Sequence, residues 1–305
     1  VSYVGSTGRH LQQQQNLNIL PPGARFLDSS IDQTTGRPLP NNFLRPYRGL
    51  GGVNYLQDVG WSNYNGLQVA LNRRYTAGVQ FGLAYTYSKA MGIGNTSGDG
   101  SALPLYTNYR TYLYGKVPFD QTHVLTFNYV WSLPNAGALG QNAVSRAVFH
   151  DWELAGILTF ASGFPSGVGF SYTDGVDRWG GGDGPRTVIL GNPNFGYGDR
   201  KFSQWFNTKA IGAPGNTFGN APIDVFRGPG INNWDSSFFK YFRFTEEVNL
   251  RIGFEFYNFL NHTQWSSVDT SARFDPQGNQ VNGRFGQVIG TRNPRQMQFT
   301  ARLTF

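Results

Sequence analysis

The amino-acid sequence predicts an all-β protein, an antiparallel transmembrane β-barrel, on three observations. Period-2 alternation recurs along the chain, with one face of each segment aromatic or aliphatic and the other small and polar, as in strands with two unlike faces. The connections alternate between short and long, the arrangement of outer-membrane barrels with short periplasmic turns and long extracellular loops. No stretch approaches the ~18 consecutive apolar residues of a membrane-spanning helix; the best run, Leu154 to Ala161, is far shorter and contains Gly156.

Composition agrees. Aromatic residues make up 16% of the 305 residues and charged residues 14%, whereas ordinary soluble domains carry roughly 25% charged residues. An average cytosolic enzyme is excluded, and so is a disordered chain, which lacks the aromatics needed to offset chain entropy by burial. The absence of cysteine removes disulfides, thiolate metal sites and cysteine nucleophiles. The net charge of +7 is spread without a basic run, which argues against nucleic acid and is compatible with the phosphates of outer-leaflet lipopolysaccharide.

Val1-Ser2-Tyr3-Val4 reads as the end of a strand, as though the chain begins in mid-protein, with neither charged n-region nor apolar h-region. A long connection over 5–63 follows. From Tyr64 to Tyr75, Leu67, Val69 and Leu71 alternate with Gln68, Ala70 and Asn72; Thr76-Ala77-Gly78 then turns the chain into Val79, Phe81, Leu83, Tyr85 and Tyr87, a tight hairpin. After a second long connection, 91–120, Leu125, Phe127, Tyr129, Trp131 and Leu133 form one face of a strand over 121–133. Pro134-Asn135-Ala136-Gly137 opens a shorter connection, 134–150, to a strand carrying Trp152, Leu154, Leu158 and Phe160 on one face.

The third long connection, 163–233, leads to Trp234 to Phe244, whose phase is ambiguous because Phe238 and Phe242 share a face with Lys240. Thr245-Glu246-Glu247 turns it into Val248, Leu250, Ile252, Phe254 and Phe256. A last long connection, 261–294, precedes Met297, Phe299, Ala301, Leu303 and Phe305. The total is seven complete strands and part of another, about eight, which is fewer than the roughly 22 of plugged outer-membrane transporters.

Trp131 and Trp152 fall at the short-turn end of their strands and Tyr85 and Tyr87 at the long-loop end, as in two interfacial aromatic girdles. Glu153, Arg251, Glu255 and Arg302 fall on the polar, lumen faces, where charge is tolerated; on the lipid face a midplane Arg would cost ~2–4 kcal/mol. They are candidates to line a solute path, or to form ion pairs with a plug. In the loop Asp174 to Gly184, Asp174, Asp177 and Asp183 offer carboxylates of the kind calcium favours, but their spacing fits no EF-hand and Gly/Asp-rich sequence is ordinary turn chemistry. Arg178 and Trp179 beside them could stack on a ligand or anchor the loop.

Catalytic patterns are missing. There is no Gly-x-Ser-x-Gly, His-Glu-x-x-His, Walker loop or Gly-x-Gly-x-x-Gly, and His10, His123, His150 and His262 lie far apart. Ser266 with His262 is a conceivable nucleophile pair, but a solvated loop histidine is the simpler reading. No enzyme activity and no cofactor are expected.

Several strings carry a family resemblance: Val4-Gly5-Ser6-Thr7-Gly8-Arg9-His10-Leu11, Tyr64-Asn65-Gly66-Leu67-Gln68, Tyr85-Thr86-Tyr87-Ser88-Lys89, Trp205-Phe206-Asn207-Thr208, Arg227-Gly228-Pro229-Gly230, Asn233-Trp234-Asp235 and Glu255-Phe256-Tyr257-Asn258-Phe259-Leu260-Asn261-His262. In this order they resemble the C-terminal barrel of Oar-like TonB-dependent receptors, which have a carboxypeptidase-regulatory-like N-terminal domain. The terminal alternation ending in Phe305 is similar to the signal read by the barrel assembly machinery. The resemblance implies that residues 1–305 are the C-terminal part of a 22-stranded barrel in the outer membrane of a Gram-negative bacterium, with no plug domain or TonB box in this chain. It also implies loops 91–120, 163–233 and 261–294 that capture an unknown ligand, and energy supplied by TonB through an N-terminal segment. The competing expectations are a structural or adhesive surface protein and a soluble lectin-like β-protein.

Overall fold

The computed structural model describes residues 1–93, 102–135 and 142–305. Eight long strands form its main sheet: β1 (Ser2–Asn16), β2 (Asn54–Thr76), β3 (Val79–Ile93), β4 (His123–Ser132), β5 (Trp152–Ala161), β6 (Ile231–Arg243), β7 (Asn249–Tyr257) and β8 (Gln296–Thr304). Each pairs antiparallel with its neighbour in sequence, so the sheet is an up-and-down meander. Among the described residues no ladder joins β1 to β8. The expected turn closes the β2–β3 hairpin: Ala77 and Gly78 both have positive φ, 52° and 77°, as a two-residue hairpin loop requires.

Because residues paired across an antiparallel ladder share a face, register sorts the side chains. Val79, Trp131, Leu154, Phe238, Phe254 and Phe299 form one continuous apolar row across β3 to β8. On the opposite face Ser132, Glu153, Phe239, Gly253 and Thr300 form a row. The apolar face is exposed at Leu67, Leu71, Tyr87, Trp131, Phe254, Met297, Phe299 and Leu303, too large a contiguous patch for a monomer in water.

Three strand boundaries differ most from expectation. β1 continues to Asn16 and β2 begins at Asn54, so the first long connection is 17–53 rather than 5–63. Over Gly8 to Asn16 both faces are mostly polar, and over Asn54 to Asn63 Leu56 and Gln57 interrupt the alternation of Tyr55, Val59 and Trp61 with Asp58, Gly60 and Ser62. Backbone pairing still carries the ladder, interrupted by register shifts on either side of Leu11. β3 likewise runs on to Ile93. Residues 136–141, including Ala136 and Gly137 of the expected turn, lie outside the described residues; a short helix, Ala143–Phe149, follows them.

The long connections all lie at one end of the sheet and fold into a layer of their own. Gly169–Tyr172 pairs parallel with Ser271–Phe274, Pro165–Ser166 with Phe226–Arg227, and Trp265–Val268 with Val288–Thr291. Between them lies the main buried core, including Trp205, Phe206, Phe226, Phe274 and Phe285; Phe206 stacks on Phe226 at 4.3 Å. A smaller cluster of Ile93, Leu103 and Leu113 packs with Trp61. The best-buried apolar packing is thus in the connections, whereas the strand wall leaves its apolar face open.

Candidate functional site

Trp131 and Trp152 lie at the short-turn end of the wall, and Tyr85 and Tyr87 toward its other end. Trp131 lies opposite Val79, directly after the short turn, and Trp152 Nε1 donates to the Val148 carbonyl at 2.7 Å. At the other end, the Tyr85 hydroxyl is 2.8 Å from His123 Nδ1, and the Tyr87 ring lies 5.1 Å from the His123 ring. Lys240, the residue that blurred the phase of β6, does sit on the apolar face, in register with Trp152 and Ile252. Its Nζ turns toward the short-turn end and donates to the carbonyls of His150 at 2.6 Å and Tyr241 at 3.1 Å. This is snorkelling, an aliphatic stem kept on apolar surface with the charge delivered to the rim.

On the polar face the structure brings Glu153, Arg251, Glu255 and Arg302 together in three adjacent rows. Glu153 accepts from the Tyr241 hydroxyl at 3.1 Å, and Tyr241 is paired with Arg251, which is paired with Arg302. The Arg251 guanidinium lies 3.7 Å from the Phe239 ring centroid. Gly253 makes room for this: a Cβ there would meet the Phe239 ring at 2.8 Å. Glu255 occupies the next row toward the loops, paired with Ser237 and Gln298.

Farther along the same face, where β5 to β8 meet the connections, a pocket of about 680 Å³ opens. Thr159 and Asn233, paired across β5 and β6, lie in its wall, as do Tyr257 and Gln296, paired across β7 and β8. Asn258 (φ 56°), Gln264 and Arg292 complete it from the 258–295 connection. The sequence marks none of these as a site residue, although Asn233, Tyr257 and Asn258 lie in strings that carry the family resemblance; neutral amides show neither charge pattern nor motif spacing. Ser266 lines this pocket, whereas His262 lines a different crevice beside Tyr85 and His123.

The Asp/Arg/Trp loop is engaged by its own surroundings. Asp174 receives Arg178 Nη2 at 2.6 Å and Nη1 at 3.1 Å, and Arg178 holds its carboxyl below the usual aspartate range. The Arg178 guanidinium also covers the Tyr172 ring at 4.0 Å. Asp177 pairs with Arg25 and accepts from the N–H groups of Trp179 and Gly180; burial pushes its pKa up, and these bonds outweigh it. Asp183 accepts from the N–H groups of Leu105 and Tyr106, both at 2.8 Å, yet burial keeps its pKa raised. The three carboxylates therefore have three separate sets of partners, and among the described residues no group of three or more acidic or histidine side chains is arranged to hold a metal. Trp179 packs edge-on against Phe218 at 5.0 Å, so both Arg178 and Trp179 contact the surrounding loop layer.

A family model described as an outer membrane beta barrel domain matches residues 1–298. Among solved structures, the outer membrane transporter YddB from Escherichia coli is similar, with a TM-score of 0.43 and 10% identity, covering 99% of this chain and 29% of that one. The chain thus spans under a third of that transporter's length. The comparison with curated proteins gave no match.

Proposed function

The chain belongs to the outer membrane beta barrel domain family, and from that premise we propose that it forms the C-terminal part of the wall of a TonB-dependent receptor, Oar-like in type. Its localisation is the outer membrane, with the apolar face toward lipid and the long connections outside the cell. The observation that carries the proposal is the polar face: charged residues in adjacent rows lead up to a pocket at the base of a folded loop layer. A scaffold that merely spanned the membrane has no need of that continuity.

Among the described residues no strand pairs with the outer edge of β8, and only Ala102–Leu103 pairs with that of β1, at Gln14 and Gln15, which supports a larger barrel. In lipid every backbone donor and acceptor must be satisfied within the protein, so strands from outside residues 1–305 would pair there. The plug and the TonB-contacting segment would come from outside this stretch as well. Within it the wall orients ligand and has no catalytic role. Exposed Phe305 would be the feature read by the barrel assembly machinery.

The test uses the whole native protein that contains this chain. Formaldehyde cross-linking in energised cells should yield an adduct with TonB. A protein that reaches the outer membrane and yields no adduct would be a surface adhesin, and energised transport would be ruled out.

A further inference from the structure

We infer that the polar-face pocket binds a neutral polyhydroxylated ligand, an oligosaccharide segment. The inference rests on the reading of this face as a receptor lumen and names the class of ligand it takes.

Two amides at the pocket are almost fully buried, Asn258 at 5% and Gln264 at 7% exposure. Each uses its N–H₂ group within the protein: Asn258 Nδ2 donates to the His262 carbonyl at 3.2 Å, and Gln264 Nε2 to Asn233 Oδ1 at 2.8 Å. Their oxygens, Asn258 Oδ1 and Gln264 Oε1, have no partner, and neither does Arg292 Nε. Buried polar atoms are nearly always paired, and here two acceptors and one donor belong to side chains lining a single pocket. These three atoms are closed to solvent, so a turn of their side chains toward the pocket must accompany binding; a hydroxyl donates one bond and accepts two, and an array of sugar hydroxyls then satisfies both kinds of atom.

Charge and shape narrow the class. Asp235 and Arg292 are the charged residues of the lining and cancel, and Asp235 Oδ1 already accepts from the Asn258 N–H at 2.9 Å. A ferric chelate bearing net negative charge would meet no net positive wall, and a cation would meet Arg292. Tyr257, 45% exposed at the pocket edge, presents an aromatic surface on which the C–H face of a sugar ring can lie.

The test screens the whole native protein that contains this chain, folded in detergent, on an array of neutral oligosaccharides, with sulfated versions of the same glycans for comparison. At least one neutral glycan should bind, and its affinity should fall at least tenfold in Gln264→Leu. Because a buried substitution can impair folding, Tyr257→Ala, at an exposed position, is the second variant, with a several-fold loss expected and the circular dichroism spectrum unchanged. A silent array, binding confined to the sulfated glycans, or unchanged affinity in both folded variants would overturn the inference. Glycan binding without a TonB adduct would uphold it and remove transport; a TonB adduct with a silent array would do the reverse.

Discussion

Arg227, in the 162–230 connection, closes an ion pair with Asp120, at the end of the connection that precedes β4. The Asp120 side chain is 1% exposed. It also accepts from the Ala90 N–H at 2.6 Å, while Arg227 Nη1 donates to the Gly163 carbonyl at 2.9 Å and Nη2 to the Thr122 hydroxyl at 2.7 Å. One guanidinium therefore ties two long connections to the rims of β3, β4 and β5. The clasp adds to other ties between the loop layer and the wall, such as the bond from Gln264 Nε2 to Asn233 Oδ1 of β6 at 2.8 Å.

Removing one partner of a buried, hydrogen-bonded ion pair leaves the other charge unmet, which costs about 3–5 kcal/mol. Arg227→Ala and Asp120→Ala should each loosen the loop layer by that order, and the double variant by much less than the sum. Limited proteolysis of intact vesicles reads the loops, and heat-modifiable migration reads the wall. Additive losses in the double variant would show that the two side chains act independently.

What could be read from the sequence follows physical contrast. The strands carrying Leu67, Phe127 or Phe254 announce themselves because lipid-facing and lumen-facing positions differ in chemistry. β1 beyond Val4 does not: Gln12 to Gln15 look the same on both faces, although Gln15 is held by Gln57 Nε2 at 2.9 Å and by the backbone ladder. Glu153, Arg251, Glu255 and Arg302 were legible as lumen residues because charge marks a face. Phe206, Phe226, Phe274 and Phe285 belong to no run with a strand period, and they meet through contacts distant in sequence. Gln264 was equally silent and Asn258 was visible only inside a string that carries the resemblance, since what singles both out is which of their atoms the fold leaves unpaired.

The loop that carries Asp174 and Asp183 should respond to pH in two opposite ways. Asp174 has its pKa lowered from 3.8 by the Arg178 bond, so its contribution is fully present above pH 3.8 and is lost as the pH falls through the folded-state value. Asp183 has its pKa raised from 3.8 by burial, so ionising it opposes folding, and stability declines as the pH rises through its raised value. Asp174→Asn should flatten the loss of loop protection on the acid side, and Asp183→Asn should remove the decline above pH 3.8. Hydrogen exchange of residues 174–184 as a function of pH reads both. Matching profiles in the two variants would refute the assignment of opposite signs.

Lys240 is tolerated on the lipid face because its Nζ reaches the His150 carbonyl at the rim. Phe238 lies on the same face two residues farther from the short turn, roughly 7 Å deeper. Lys240→Leu should therefore change folding stability in vesicles by less than about 1 kcal/mol, whereas Phe238→Lys should lower it by ~2–4 kcal/mol. Urea titration of folded and unfolded bands in lipid vesicles gives both numbers. Equal losses in the two variants would mean that depth is not what separates the positions.

Arg251 and Arg302 face each other directly across β7 and β8 on the lumen side, an unfavourable pairing of like charges. Arg251 is fixed by its contact with the Phe239 ring and cannot be replaced without losing it, whereas Arg302 lies exposed on the edge strand. Arg302→Glu turns the repulsion into attraction and should stabilise the chain by roughly 0.2–1 kcal/mol, while Arg302→Gln should recover part of that gain. Arg251→Glu removes the same repulsion but also the cation–π contact, and should come out less stable than Arg302→Glu. Under the receptor reading proposed above, the sign should reverse in the whole native protein if the arginine pair meets an acidic surface of a plug, because Arg302→Glu would then set like charges against it. Urea midpoints of the native protein with and without that plug, compared for the same variant, separate the two cases; a stabilisation of equal size in both would show that nothing acidic packs against this part of the wall.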